Sequence, residues 1–207
     1  MLLAMDPGFL CRTELIDHDH PAVAAKARDL AHGLADDAAV ARACFLFVRD
    51  AVRHSVDHRV GPVTCRASDV LAHATGYCFA KSHLLAALLR ANGIPAGFCY
   101  QRLSIDDIGP PFTLHGFNAV HLRAHGWYRV DPRGCKPGLG SDFTPPVEAL
   151  AYAPTLPGEG DLPEIWPDPL PVVIEALSRG GTWKDVLDRL PDVELIPMRV
   201  DQRKSNG

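Results

Sequence analysis

GYCFAKSHLLAALLRANGIPAG, residues 76–97, decides how the chain is read. Gly76 breaks the segment before it, and a helix then runs from about Tyr77 or Cys78 to Ala91. The run is rich in Leu and Ala and nearly apolar all round, the pattern of a buried central helix. Asn92-Gly93 supplies a left-handed stop, and Pro95 prevents continuation. Ala96 to Leu103 then reads as a strand. Cys78 therefore stands at a helix N-terminus. A thiol there meets the helix dipole and unpaired amide N–H groups, which favour thiolate and can cradle an oxyanion. Taken alone, the residue reads first as a buried structural cysteine, the commoner case for a lone cysteine.

Upstream of this block, residues 19–34 (DHPAVAAKARDLAHGL) read as a helix with Asp19 or His20 as its cap, Pro21 in its first turn and Gly33 at its end. A second helix runs from about Asp36 to His54, with Val40, Ala43, Cys44, Phe47, Val48 and Ala51 at helical spacing. Residues 55–67 read as irregular, and Ser68 as the cap of a short helix over Asp69 to His73. Downstream, residues 104–114 form a loop holding Pro110 and Pro111. Residues 115–123 and 127–131 read as two strands of a hairpin joined through Ala124, His125 and Gly126. Residues 132–171 carry most of the prolines and are expected to wrap the core without forming a second domain. Short helices are expected near 171–178 and 182–190, and a frayed end at QRKSNG. Helices, a central helix and then antiparallel strands give an α+β class, in one domain with its core at about 36–133.

His115 and Asp131 bear on Cys78. They lie on the two expected hairpin strands, an even number of residues apart. A turn near residue 123 sets them roughly opposite each other on one face of the ribbon. A turn nearer Gly126 makes them diagonal neighbours. A carboxylate beside a histidine fixes its tautomer and stabilises its imidazolium. Singly, each has a plainer reading, as a surface histidine and a turn-forming Asp-Pro. For the three together, in this order and on these elements, the plainer readings give way to a functional one.

The chain resembles the transglutaminase-like superfamily, with its papain-type Cys–His–Asp chemistry. The resemblance rests on GYCFAKSHLLAALLRANGIPAG (76–97), on HGFNAVHLRAHGWYRVDP (115–132) and, more weakly, on FVRDAVRHSVD (47–57). It implies a papain-like fold, a central helix packed on an antiparallel sheet. Residue by residue, Cys78 resembles the nucleophile, His115 the general base and acid, and Asp131 the orienting carboxylate. Phe117 departs from the family's usual Trp, Ala119 from an acidic residue, and Arg133 from Thr. The implied activity is acyl transfer on a peptide or small amide substrate through a thioester. Hydrolysis is the first expectation for a small bacterial-type member, with protein crosslinking or a silent binding module as alternatives.

Other side chains take structural readings: His83 as packed or at a polar edge, His121 and His125 as solvated, His54 and His58 as cationic beside a helix end. Trp127 is expected to pack the hairpin onto the core. Cys135 could bring a second thiol near the site.

Composition sets the outer bounds. The chain has 207 residues, 47% hydrophobic and 22% charged, and so is long enough to bury a core without staples. A net charge of -4 gives no basic face, so no nucleic-acid partner is expected. MLLAMDPGFL lacks a basic n-region and a long apolar run, and no 20-residue apolar span follows, so neither a secretory leader nor a membrane partner is expected. Six scattered cysteines without CxxC favour a reduced, cytoplasmic setting, and no pair has zinc-finger spacing. No metal and no cofactor is expected.

Overall fold

The computed structural model describes residues 6–134, 136 and 138–194. A single 3-10 turn (Pro7–Leu10) precedes α1 (Pro21–Ala31). His20 is the cap of α1, its Nδ1 accepting from the Ala22 N–H at 3.3 Å. α2 (Asp37–Ala51) is capped by Asp36, whose Oδ1 accepts from the Ala39 N–H at 2.7 Å. It ends three residues before the expected His54, because the chain turns there into β1 (Arg53–His54) and a single helical turn, α3 (Ser55–His58), in a stretch expected to be irregular.

α4 (Ala67–His73) corrects a second expectation. Ser68 lies inside the helix instead of capping it. Its backbone N–H donates to Asp17 Oδ1 at 3.0 Å, so a carboxylate from the N-terminal segment satisfies the first turn. β2 (Thr75–Gly76) then pairs in parallel with β1, setting His54 opposite Gly76.

α5 (Cys78–Ala91) is the central helix, and every residue from Cys78 to Arg90 is buried. α1, α2 and α4 pack around it, and the sheet closes its other side. β3 (Ala96–Ser104), β4 (Phe112–Leu122) and β5 (Gly126–Val130) follow. Two short strands, β6 (Asp142–Thr144) and β7 (Val147–Ala149), form their own ribbon. β8 (Gly160–Asp161) joins the outer edge of β3, giving the antiparallel order β5-β4-β3-β8. β4 starts at Phe112, inside the expected loop, because residues 112–114 continue the ladder opposite 102–104. α6 (Pro171–Ser178) and α7 (Trp183–Leu187) close the described chain. α7 is shorter than expected. Its start carries a capping box between Thr182 and Asp185, while Pro191 biases the residue before it away from helix.

Two devices hold this arrangement together. Arg90, near the end of α5, is buried and clasps three segments: Nε and Nη2 donate to Ala96 O, Nη1 to Cys11 O at 2.8 Å, and Nη2 also to Pro167 O. The Pro-rich segment is thereby tied to the core. Its main chain also bridges Phe98 through Trp166, and the Leu170 N–H donates to the Tyr100 hydroxyl. The second device is Gly116. A Cβ there would lie 2.5 Å from Phe79 Cδ1, so only glycine lets β4 approach the first turn of α5 this closely. Among the described residues, no helix is long and apolar enough to cross a membrane.

Phe79 is 1% exposed and cannot swing away. Gly116→Ala is therefore expected to cost about 1–3 kcal/mol through overpacking. Denaturant titration against wild type measures it, and an unchanged midpoint would mean that the contact relaxes freely.

Candidate active site

The β4–β5 register sets Leu122 opposite Gly126 and Asn118 opposite Val130. One step further along, Asp131 falls opposite Phe117, so it is the diagonal neighbour of His115. Leu114 and Val120 belong to the main core under the sheet, whereas Phe117 and Ala119 form a separate cluster with Cys99 that Leu150 and Ile165 cover. Ala119 thus sits under the Pro-rich segment, where an acidic side chain would be buried without water.

His115 Nε2 and Asp131 Oδ2 are 2.7 Å apart, with His115 5% and Asp131 0% exposed. The carboxylate is fully engaged: Oδ2 also accepts from the Ala151 N–H at 3.2 Å, and Oδ1 from the Arg133 N–H at 3.0 Å. Burial alone would depress the imidazole, but the Asp131 charge and hydrogen bond, with a contribution from Cys78, outweigh it and raise its pKa to about 10. Burial likewise works against the Asp131 charge, and His115 with the two backbone N–H groups overrides it, holding the carboxyl below its ordinary range. The pair is an imidazolium and a carboxylate at neutral pH.

Cys78 is the first residue of α5, 8% exposed, and its side chain interacts with His115. The two line one cleft of about 430 Å³. With Nε2 held by Asp131, the other ring nitrogen, Nδ1, is left for the sulfur. The three expected residues are brought together around the His115 ring.

Sequence reasoning missed much of what surrounds them. Tyr152 stands edge-on to the His115 ring at 4.9 Å. It lies in the Pro-rich segment, where irregular backbone leaves no periodicity to read. Arg133, in the cleft wall, holds Asp57 in a two-pronged pair at 2.8 and 3.0 Å, a long-range contact with no local signal. His54, by sequence a cationic helix-end residue, is corrected by the structure. It is buried and lines the cleft, and burial, then the nearby Arg133 charge, pushes its pKa down to about 3, so the ring is neutral. His58 is exposed. His83 is a packed core residue with Nδ1 donating to Cys65 O at 2.7 Å, and burial lowers its pKa to about 4. Trp127 packs against Phe9 of the N-terminal turn at 4.7 Å, not onto the main core, and stays partly exposed. Cys135 and the final QRKSNG lie outside the described residues.

Comparisons with known proteins bear on the family and the fold. Residues 24–132, slightly more than half of the chain, match the family model described as the transglutaminase-like superfamily, and the chain belongs to that superfamily. All three residues named above fall inside the match. No curated protein matches the chain. Among solved structures, a protein named "a Putative Cysteine Protease from Cytophaga hutchinsonii" aligns with a TM-score of 0.50 at 20% identity, over 64% of this chain and 43% of that one. A second, a "putative protease" from Parabacteroides distasonis, aligns with a TM-score of 0.40 at 14% identity, over 56% of this chain and 25% of that one. The chain thus spans less than half the length of either. The first likeness is one of fold, a papain-like α+β core.

The raised His115 pKa has a consequence for stability. Its stabilising effect is fully present below the unfolded value of about 6.5 and is lost as pH rises towards about 10. Lys81 acts oppositely at the upper end of this window, since burial lowers its pKa to about 8. Comparing wild type with His115→Gln isolates the histidine. Thermal midpoints from pH 6 to 10 are expected to fall more steeply in wild type, and parallel curves would contradict the buried imidazolium.

Proposed function

We propose that the protein is a cysteine-dependent acyl-transfer enzyme that hydrolyses an amide or peptide bond through a thioester. Cys78 serves as nucleophile, His115 as general base and acid, and Asp131 as the carboxylate that orients it. The observation that carries the reading is the buried 2.7 Å His115–Asp131 pair sharing a cleft with a cysteine at the start of the central helix.

In this mechanism Cys78 and His115 start as a thiolate–imidazolium pair, with the proton from the thiol resting on Nδ1 and Nε2–H hydrogen-bonded to Asp131. A protonated imidazole beside the sulfur is the setting in which cysteines act as thiolates. The sulfur attacks the carbonyl carbon, and the oxyanion that forms takes a hydrogen bond from the Cys78 backbone N–H at the helix N-terminus. The C–N bond breaks as His115 returns its proton to the leaving nitrogen. Water then loses a proton to His115 and adds to the thioester, and the C–S bond breaks to release the acid. An amine in place of water would give crosslinking by the same steps.

The other described thiols make the test sharp. Burial raises Cys44 and Cys99 to about 12 and Cys65 to about 11, so each stays protonated near neutrality. Cys11 is exposed and is the fair competitor. With a small alkylating agent at about pH 6–7, Cys78 is expected to be modified first, and His115→Ala to slow it. Peptide mapping by mass spectrometry reads the order; Cys11 reacting faster than Cys78 would refute the nucleophile assignment. On any substrate cleaved by wild type and spared by Cys78→Ala, Asp131→Asn is expected to lower turnover by about 10- to 1,000-fold.

A further inference from the structure

We infer that the acyl donor is a peptide whose residue at the broken bond carries an aliphatic side chain of about leucine's size. This rests on Cys78 being the nucleophile and extends that reading to a substrate class.

The residues that precede Cys78 and His115 both hold the last described segment. The Tyr77 hydroxyl donates to Trp183 O at the start of α7. The Leu114 N–H donates to Pro191 O at 2.8 Å, and the Thr113 hydroxyl reaches the same carbonyl at 3.3 Å. Leu187 and Leu190 lie between these anchors in the chain and line the cleft. This apolar wall is therefore tied at both ends to the neighbours of the two reacting groups. Leu103 of β3 and Leu156 of the Pro-rich segment line the same cleft. Ile105 joins them from the 104–111 loop and is 52% exposed. That loop is closed at its base. The Ser104 hydroxyl donates to Gly109 O at 2.6 Å and accepts from the Gly109 N–H at 3.1 Å, while the Ile105 N–H donates to Pro111 O at 3.1 Å. An isoleucine held half in water beside a cleft is relieved of that water when an apolar group enters.

The charges of the cleft give an ionic side chain no such welcome. Arg133 is held by Asp57 with two hydrogen bonds, and His115 by Asp131. Glu159 is charged, but both of its oxygens are occupied: Oε1 accepts from the Ser104 N–H at 2.8 Å, and Oε2 from the Thr155 and Leu156 N–H groups at 2.9 and 3.0 Å. His54 is neutral. Among the described lining residues this leaves Asp107 and Lys136, which are opposite in sign and both exposed. A charged substrate side chain of either sign meets one that repels it as well as one that attracts it. An aliphatic side chain on Leu156, Leu187, Leu190 and Ile105 removes apolar surface from water on both partners. The cleft, at about 430 Å³, is in the range that encloses a drug-sized ligand, and a simple amide would leave most of it to water.

Two reagents with one reactive group test this on the intact protein: the chloromethyl ketones of N-acetyl-leucine and N-acetyl-glycine. With either, the Cys78 C–S bond forms as C–Cl breaks and chloride leaves. Peptide mapping reads the rate at each thiol, and Cys11, exposed on the same molecule, supplies the intrinsic ratio of the two reagents. The leucine-to-glycine rate ratio is expected to be about 10-fold higher at Cys78 than at Cys11. Ile105→Ser, at an exposed position, is expected to lower the Cys78 ratio severalfold, as is Leu190→Ser. Ile108→Ser, on the same loop but outside the cleft lining, is expected to leave it unchanged. A ratio at Cys78 no higher than at Cys11 overturns the substrate class and leaves the nucleophile standing. A preference that survives both Ile105→Ser and Leu190→Ser overturns it as well, since it would arise outside this wall. If neither reagent modifies Cys78, the nucleophile assignment fails and the substrate class falls with it.

Discussion

A carboxylate with no exposed surface must have its charge and lone pairs answered by protein, and Asp131 is such a group. Its partners come from three separate stretches: the His115 ring on β4, the Arg133 N–H just past the end of β5, and the Ala151 N–H beyond β7. Its own backbone carbonyl accepts from the Ser141 hydroxyl at 2.6 Å. The hairpin register, the Asp-Pro exit and the docking of the Pro-rich segment thus converge on one side chain. Removing any one partner would leave a buried charge incompletely paired, which is costlier than the pair itself is stabilising. The geometry around His115 is therefore over-determined, as the base role proposed for it requires.

A second buried charge lies behind the first. Lys81, one turn after Cys78, is 0% exposed. Its ammonium donates to the Arg49 and Val52 carbonyls at the end of α2, so it caps that helix from the inside. Desolvation works against the charge, and the helix-end dipole with neighbouring Asp131, Asp50 and Asp57 works for it. The first turn of α5 therefore carries both the cysteine and, three residues on, the cation that fixes where α2 stops. Because β1 follows α2 directly and pairs with β2, that stop also sets where His54 enters the cleft wall.

Much of this was legible in the sequence, for reasons that differ from element to element. The central helix was clear because Leu and Ala packed all round it and Asn92-Gly93-Ile94-Pro95 ended it sharply. The hairpin was clear in type, but its register was open by two residues until the pairing of Leu122 with Gly126 settled it. Ser68 misled because a serine before an apolar run looks like a cap, whereas the acceptor was Asp17, distant in sequence. His54 misled because proximity to a helix end says nothing about burial. Arg133–Asp57 and Tyr152 were invisible, since long-range pairs and irregular backbone leave no periodic trace.

The division between what was legible and what was not follows the chemistry. Cys78, His115 and Asp131 all lie within the stretch that matches the superfamily, on a helix start and a hairpin whose local patterns are strong. Half of the remaining cleft wall comes from beyond residue 132, including Arg133, Lys136, Tyr152, Leu156, Leu187 and Leu190. These positions are held by loops, a Pro-rich segment and one short helix, which can change sequence without disturbing α5 or the hairpin. In the proposed reading, reaction type is tied to rigid elements, and the docked segments supply part of the wall that a substrate would meet. The Ala151 N–H couples the two, because the segment that carries Tyr152 into the cleft also completes the hydrogen bonding of Asp131. A change in that segment which alters the wall therefore also loads or unloads the carboxylate that orients His115.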